Sequence, residues 1–244
     1  MNKLMKKVSL ILIFILLTAK GFPQGNTLYQ TGLTAEQNLN AIGSLAKFST
    51  GGVGFDTRYE GVKGSPWLFE KLLPSLMRVK GQDYSLQLET NLDIVKNSLI
   101  FNNPKTGKML SIPSDLVKEL KVTLEGKELI FRVSRAKYFE REIKDGRFYQ
   151  VLKEGPFQFI KLPFKKLIAA DYKDVYSPDR RYDEYTTYYK YYIMQSDSVF
   201  HQVQLTKKSL IKIFPDRKEL INNTAESNLY ENNEEMILYI LEKL

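Results

Sequence analysis

Between about Leu76 and Leu205 the apolar residues of this chain recur at every second position, and that period fixes the kind of structure the chain can build. Tyr84, Leu86 and Leu88 alternate with Ser85, Gln87 and Glu89, and Leu120, Val122 and Leu124 alternate with Lys121, Thr123 and Glu125. Leu129, Phe131 and Val133 oppose Glu128 and Arg132, and Val199, Val203 and Leu205 oppose Gln202 and Gln204. Strands with one oily and one wet side are the habit of antiparallel sheets. Turn-forming residues fall between them at Lys80–Asp83, Asn102–Lys108, Lys144–Gly146 and Gln195–Ser198, which predicts a meander of hairpins.

The flanks change to a helical period. Thr34 and Gln37 have capping-box spacing, and Leu39, Ile42 and Leu45 or Ala46 can share a face, although Gly43 interrupts the run. At the other end, Ser209–Phe214 predicts a short helix that Pro215 stops or restarts. Asn232 with Glu235 caps a final helix whose stripe is Ile237, Ile240, Leu241 and Leu244. Its polar face is acidic, which anionic lipid would repel, so packing on the sheet is expected. The expected fold is α+β, mostly β: an antiparallel meander sheet or partial barrel with N-terminal and C-terminal helices. Residues 22–75 form a helix and glycine-rich lead-in, 76–205 the β domain, and 206–244 helices packed on the sheet.

The first 21 residues read as a signal peptide. Lys3, Lys6 and Lys7 precede an apolar run from Val8 to Leu17, and cleavage fits after Ala19, Gly21 or Gln24. Ten apolar residues at about 1.5 Å each reach only about half of a ~30 Å hydrocarbon core, so no transmembrane span is expected in the mature chain. The destination is periplasmic, outer-membrane-associated or extracellular. With no cysteine at all, neither a lipid-anchored N-terminus nor a disulfide is available. Burial alone must hold the fold, and a mature chain of about 220 residues can hide roughly 70% of its unfolded surface. Of the formal net charge of +8, four positive charges (Lys3, Lys6, Lys7, Lys20) belong to the leader, which leaves +4. That excess and the export signal give no reason to expect a nucleic-acid partner.

Several chemistries lack their parts. His201 is the only histidine, so a multi-histidine zinc site cannot form, and no metal or cofactor is expected. His201 also falls in strand register with Val199 and Val203, as a core or edge residue would. The glycines at 51, 52 and 54 lack the Lys and Ser/Thr that complete a phosphate-binding loop. Ser44–Lys47 matches S-x-x-K and Lys105–Gly107 matches K-T-G, motifs of serine acyl-transfer enzymes. S-x-x-K recurs at Ser134 and Ser209, however, and the K-T-G lies in turn-like sequence rather than on a strand. The acids Asp171, Asp174, Asp179, Asp183 and Glu184 admit a hydrolase acting on an envelope or polysaccharide substrate. Lys173, Arg180 and Arg181 among them make a solvated loop the expected reading. No catalytic residue is assigned.

One stretch invites a binding function. Arg181–Met194, RYDEYTTYYKYYIM, holds six of the fifteen tyrosines. As a strand it places Tyr185, Thr187, Tyr189, Tyr191 and Ile193 on one face and Tyr188, Lys190, Tyr192 and Met194 on the other. Aromatics on both sides require two covers, and tyrosine suits a half-wet surface where its ring stacks and its hydroxyl stays hydrated. Tyr188, Lys190 and Tyr192 are the candidate ligand-binding residues. Three further segments, Lys63–Gly81, Arg147–Lys161 and Lys207–Ile221, resemble segments of uncharacterised exported β-rich proteins of Gram-negative bacteria. That resemblance implies an exported β protein and transfers no functional residue. Pro66 biases Ser65 toward extended backbone, and Trp67, Leu68 and Phe69 suit a hydrophobic plug for the sheet end.

The expected role is a non-enzymatic binding or envelope-associated protein, its partner an envelope component, a polysaccharide or another exported protein. The rival is a carrier of a lipid or other apolar molecule, with Phe157, Phe159, Ile160, Leu162 and Phe164 lining its cavity.

Overall fold

A computed structural model describes residues 32–52, 61–139, 143–170, 182–195, 197–226 and 230–244; the leader and Asp171, Asp174 and Asp179 lie outside them. The chain is mostly β, with an antiparallel-dominated sheet and helices near both ends, as the periodicity predicts. The main strands are β3 (Leu73–Val79), β4 (Ser85–Asp93), β5 (Ser98–Asn102), β6 (Met109–Pro113), β7 (Val117–Leu124), β8 (Lys127–Val133), β9 (Phe148–Lys153), β10 (Gln158–Ile168), β11 (Asp183–Met194) and β12 (Phe200–Val203). Two-residue strands β1 (Gly51–Gly52) and β2 (Val62–Lys63) come from the lead-in, so the sheet recruits residues that lack the alternating pattern. All belong to one twelve-stranded sheet in the order β1-β6-β5-β4-β3-β7-β8-β9-β10-β11-β12, with β2 also on β11.

Among the main strands, the link from β6 to β7 is the one departure from a plain meander. β6 ends at Pro113 and β7 begins at Val117, yet β5, β4 and β3 lie between them in the sheet. On a flat sheet four spacings of about 4.8 Å separate the two lanes by about 19 Å. The linking residues span at most about 14 Å. Register widens the mismatch: Pro113 stands level with Ser98 and Asp93, beyond the start of β3, whereas Val117 stands beside Val79 at its finish. The sheet must therefore curl and coil over β3–β7, which makes this half a partial barrel.

The curl encloses the first core. Met77, Leu86, Leu92, Leu99, Phe101, Ile112, Leu120, Val122 and Phe131 are essentially inaccessible within it. Helix α1 (Ala35–Leu45) closes one side. Thr34 and Gln37 form the predicted capping box, and Ile42 and Leu45 face inward. Leu39 stays exposed, and Asn38 is buried in its place. The Asn38 side chain donates to the Gln87 carbonyl at 2.8 Å and accepts from the Gln87 amide at 2.9 Å, so it behaves as a short length of partner strand for β4. Two of the three predicted plug residues pack here: Leu68 and Phe69 lie on this core, and Phe69 meets Phe131 edge-on at 6.0 Å, whereas Trp67 forms a backbone bridge with Asp93. The plug backbone is tied down by Asn91, which is fully buried. Asn91 Oδ1 accepts from the amides of Phe69 and Leu92, and its Nδ2 donates to the carbonyls of Phe69 and Lys71.

The second half of the sheet is covered on both faces. On one face Phe159, Ile193 and Val203 pack against α2 (Lys207–Ile213), α3 (Lys218–Ala225) and α4 (Asn233–Lys243) through Leu210, Ile221, Ile237, Ile240 and Leu241. The acidic-faced final helix thus packs on the sheet as expected, capped by Asn232 accepting from the Glu235 amide at 3.0 Å. On the opposite face the β8–β9 connection folds over Tyr149, Val151, Ile160, Leu162, Tyr192 and Phe200, with Phe139 and Ile143 as its contacts. No helix among the described residues is long and apolar enough to cross a membrane.

Asn91→Ala should lower stability by about 3 kcal/mol, because it strands buried backbone groups that cost roughly 1–3 kcal/mol when left without partners. The urea midpoint checks this, with the far-ultraviolet spectrum of the surviving native state unchanged.

Candidate functional site

β10 and β11 form a ribbon of eleven cross-strand pairs, from Gln158↔Met194 to Ile168↔Glu184, without a bulge. Among the described residues, its base has the other strand neighbours. β9 pairs with Phe159–Lys161, and β12 pairs with Tyr191–Met194. Beyond these, among the described residues, β2 pairs with Asp183 and Glu184 alone. The outer half of the ribbon therefore stands off the body as two strands. Nine large hydrophobic residues are exposed among those described, and five lie here: Leu167, Ile168, Tyr182, Tyr188 and Tyr189. Chance scatter of apolar surface would not gather them on one hairpin.

The base is pinned to the last helix. Glu234, in the first turn of α4, accepts from the Tyr191 hydroxyl at 2.7 Å and from Lys161 Nζ at 2.8 Å. Lys161 also lies 4.4 Å above the Tyr189 ring. A carboxylate at a helix N-terminus is favoured by the helix dipole. Burial, then the hydrogen bond to Glu234 and its charge, push the Tyr191 phenol well above the ordinary tyrosine value. Lys165, on the same face farther out, is pushed down by partial burial.

On the other face Phe164 and Tyr188 are directly opposite across the ladder, with rings 5.1 Å apart and only 11° from parallel. The Arg147 guanidinium lies 5.0 Å from the centre of the Phe164 ring, and Lys190 Nζ lies 5.4 Å from it. Lys166 follows two residues after Phe164 on that face, opposite Thr186. Each cation–π contact contributes about 0.5–1 kcal/mol at a wet site. The product is an aromatic pair with two positive charges against it and a third, Lys166, farther out on the same face.

The three residues singled out by sequence separate here. Tyr188 is 45% exposed and Lys190 half-buried at this cluster, whereas Tyr192 is 3% exposed. Phe139 meets the Tyr192 ring edge-on at 5.3 Å, so Tyr192 is part of the core and out of reach of a ligand. Its cover comes from a connection some fifty residues earlier, which strand alternation cannot reveal. Arg147 was missed as a site residue, and Phe164 was expected only in the lining of a carrier's cavity. The cross-strand register is what sets Phe164 opposite Tyr188.

The remaining candidates are dispersed. Phe157 and Phe159 face the helices, and Ile160, Leu162 and Phe164 the opposite side, so the five do not line a common cavity. Asp183 accepts the Ala170 amide at 2.7 Å, and Glu184 is exposed on the ribbon. His201 Nε2 is 2.7 Å from Asp197, whose carboxyl is held below the usual carboxylate range first by that bond. Ser44 and Lys47 are exposed on and just after α1, while Lys105 lies in the β5–β6 turn with Nζ 2.8 Å from Asn40 Oδ1. Among the described residues no three His, Cys, Asp or Glu side chains gather as a metal site. No protein-family model, curated protein or solved structure matches the chain.

Because the folded state holds the Tyr191 proton more tightly than the unfolded chain, the stability tied to it is intact below about pH 10 and falls as pH rises further. In an alkaline absorbance titration Tyr191 should ionise among the last tyrosines. Glu234→Gln should bring that ionisation to lower pH and cost about 1–2 kcal/mol of stability at neutral pH.

Proposed function

We propose that this is an exported, non-enzymatic binding protein associated with the cell envelope, and that it binds through the ribbon face bearing Tyr188, Lys190, Phe164 and Arg147. The observation that carries this reading is the stacked Phe164–Tyr188 pair with two cations against it, on a hairpin that projects from an otherwise well-covered sheet. Rings stacked on one side and open on the other accept a further flat group, and flanking charges orient it. The rigid base supports the function, since Glu234 ties the ribbon to α4 and the outer half inherits a fixed direction. Export is supported by the basic and apolar leader, and the resemblance to exported β-rich proteins agrees with it.

Cosedimentation of the mature chain with isolated Gram-negative envelope fractions tests this. Wild type should pellet with the envelope, and the double variant Tyr188→Ser, Lys190→Gln should lose at least about tenfold in apparent affinity. Phe48→Ser, an exposed aromatic residue just after α1, should leave it unchanged. Equal pelleting of all three proteins, or none of wild type, would reject the proposal.

A further inference from the structure

We infer that the ligand of this face is an acidic polysaccharide, a chain of sugar rings carrying carboxylates. This rests on the binding function proposed above and narrows it to one chemistry. The first ground is charge. Three cations elsewhere on the sheet have acids beside them: Lys121 with Glu128, Arg132 with Glu119 and Glu154, and Lys161 with Glu234. Arg147, Lys166 and Lys190 have no acidic partner among the described residues, and they share one face of the ribbon and its foot. Glu184 is the acid on that face; it stands diagonal to Lys166 on the ladder and lies four residues, about 13 Å, from Tyr188 along β11. An anionic ligand would supply the negative charges that this surface lacks.

The second ground is shape. Phe164 covers one side of the Tyr188 ring. Among the described residues, the lane next to β11 beyond Tyr188 holds β12 only as far as Tyr191, β2 at Asp183 and Glu184, and Gly64 beside Tyr185. The interval between them is about 17 Å long at strand rise, room for about three sugar rings laid along the ribbon. Sugar rings present apolar C–H faces to tyrosine, while their carboxylates reach outward to Arg and Lys donors. The third ground separates this ligand from a bilayer. Arg147 and Phe164 sit at the foot of the connection that carries Phe139 and Ile143 across the sheet, and both are half-buried. A flexible chain can enter such a corner and a flat lipid surface cannot.

Affinity electrophoresis in gels containing polygalacturonate, dextran or poly(dT), with flotation on phosphatidylglycerol vesicles, tests the inference. The mature chain should be retarded by polygalacturonate and not by dextran, and 300 mM salt should weaken retardation severalfold. Arg147→Gln and Lys190→Gln should each weaken it about fivefold and Tyr188→Ala about tenfold. Arg147→Lys and Lys190→Arg should retain most of it, which separates lost charge from lost folding. Equal retardation by dextran or poly(dT), preferential binding to vesicles, or indifference to all these variants would overturn the inference. If polygalacturonate fails while cosedimentation with envelope still depends on Tyr188, the acidic-polysaccharide assignment falls and the binding function stands. If both fail, both fall.

Discussion

Three residues, Ser114–Leu116, carry the chain from one side of a five-strand block to the other, and the shape of the molecule depends on how short they are. So small a link cannot cross flat strands, so β3–β7 must roll up, and rolling up is what creates an inside. Once the inside exists, Met77, Leu92, Phe101 and Ile112 can leave water together, and α1 has a mouth to close. Polar groups trapped by the roll must then be answered one by one, as Asn38 and Asn91 answer the backbone of their neighbours. The β6–β7 link is itself braced: the Ser114 hydroxyl donates to the Gly146 carbonyl at 2.6 Å, joining the turn to the β8–β9 connection. Hydrophobic burial drives the collapse, and these amide contacts select one geometry for it.

The other half solves a different problem. A pair of strands standing alone is marginal in water, and the outer ribbon has almost no third strand. Its order comes from the base, where both faces are packed, and from the ring pair at Phe164 and Tyr188, which adds a fraction of a kcal/mol to about 1 kcal/mol across the ladder. β2 adds a brace where Gly64 passes Tyr185. Gly64 has φ +75°, a conformation other residues adopt at a cost, so a larger residue would strain the backbone there.

Much of this architecture was legible in the residues. Alternation marks the long strands because one side of each is wet, and the turns carry residues suited to reversing the chain. The caps at Thr34 and Asn232 declare themselves through local hydrogen bonding. Features that depend on distant parts of the chain left no local trace. β7 lies beside β3 because of a curl no single strand records, and β1 and β2 are too short to have a period. The tyrosine strip shows the boundary well. Its two faces follow alternation, yet Tyr192 is core and Tyr188 surface because Phe139 arrives over one and stops short of the other. The site was half readable for the same reason: Tyr188 and Lys190 announce themselves by composition, and Arg147 and Phe164 join them only through pairing.

Pro163 is buried in β10 just past the last residue that β9 engages, and it has no amide hydrogen to offer. Lys165 and Lys166 follow it on the same margin, and on the far margin β2 and β12 bracket β11 at either end. Both sides of the hairpin are thus poor templates for an incoming polypeptide, which would have to zip on through its main chain. A projecting hairpin of this composition would otherwise invite self-assembly into stacked ribbons at high concentration. On the proposed reading, recognition by this hairpin falls to rings and charges rather than to main-chain pairing.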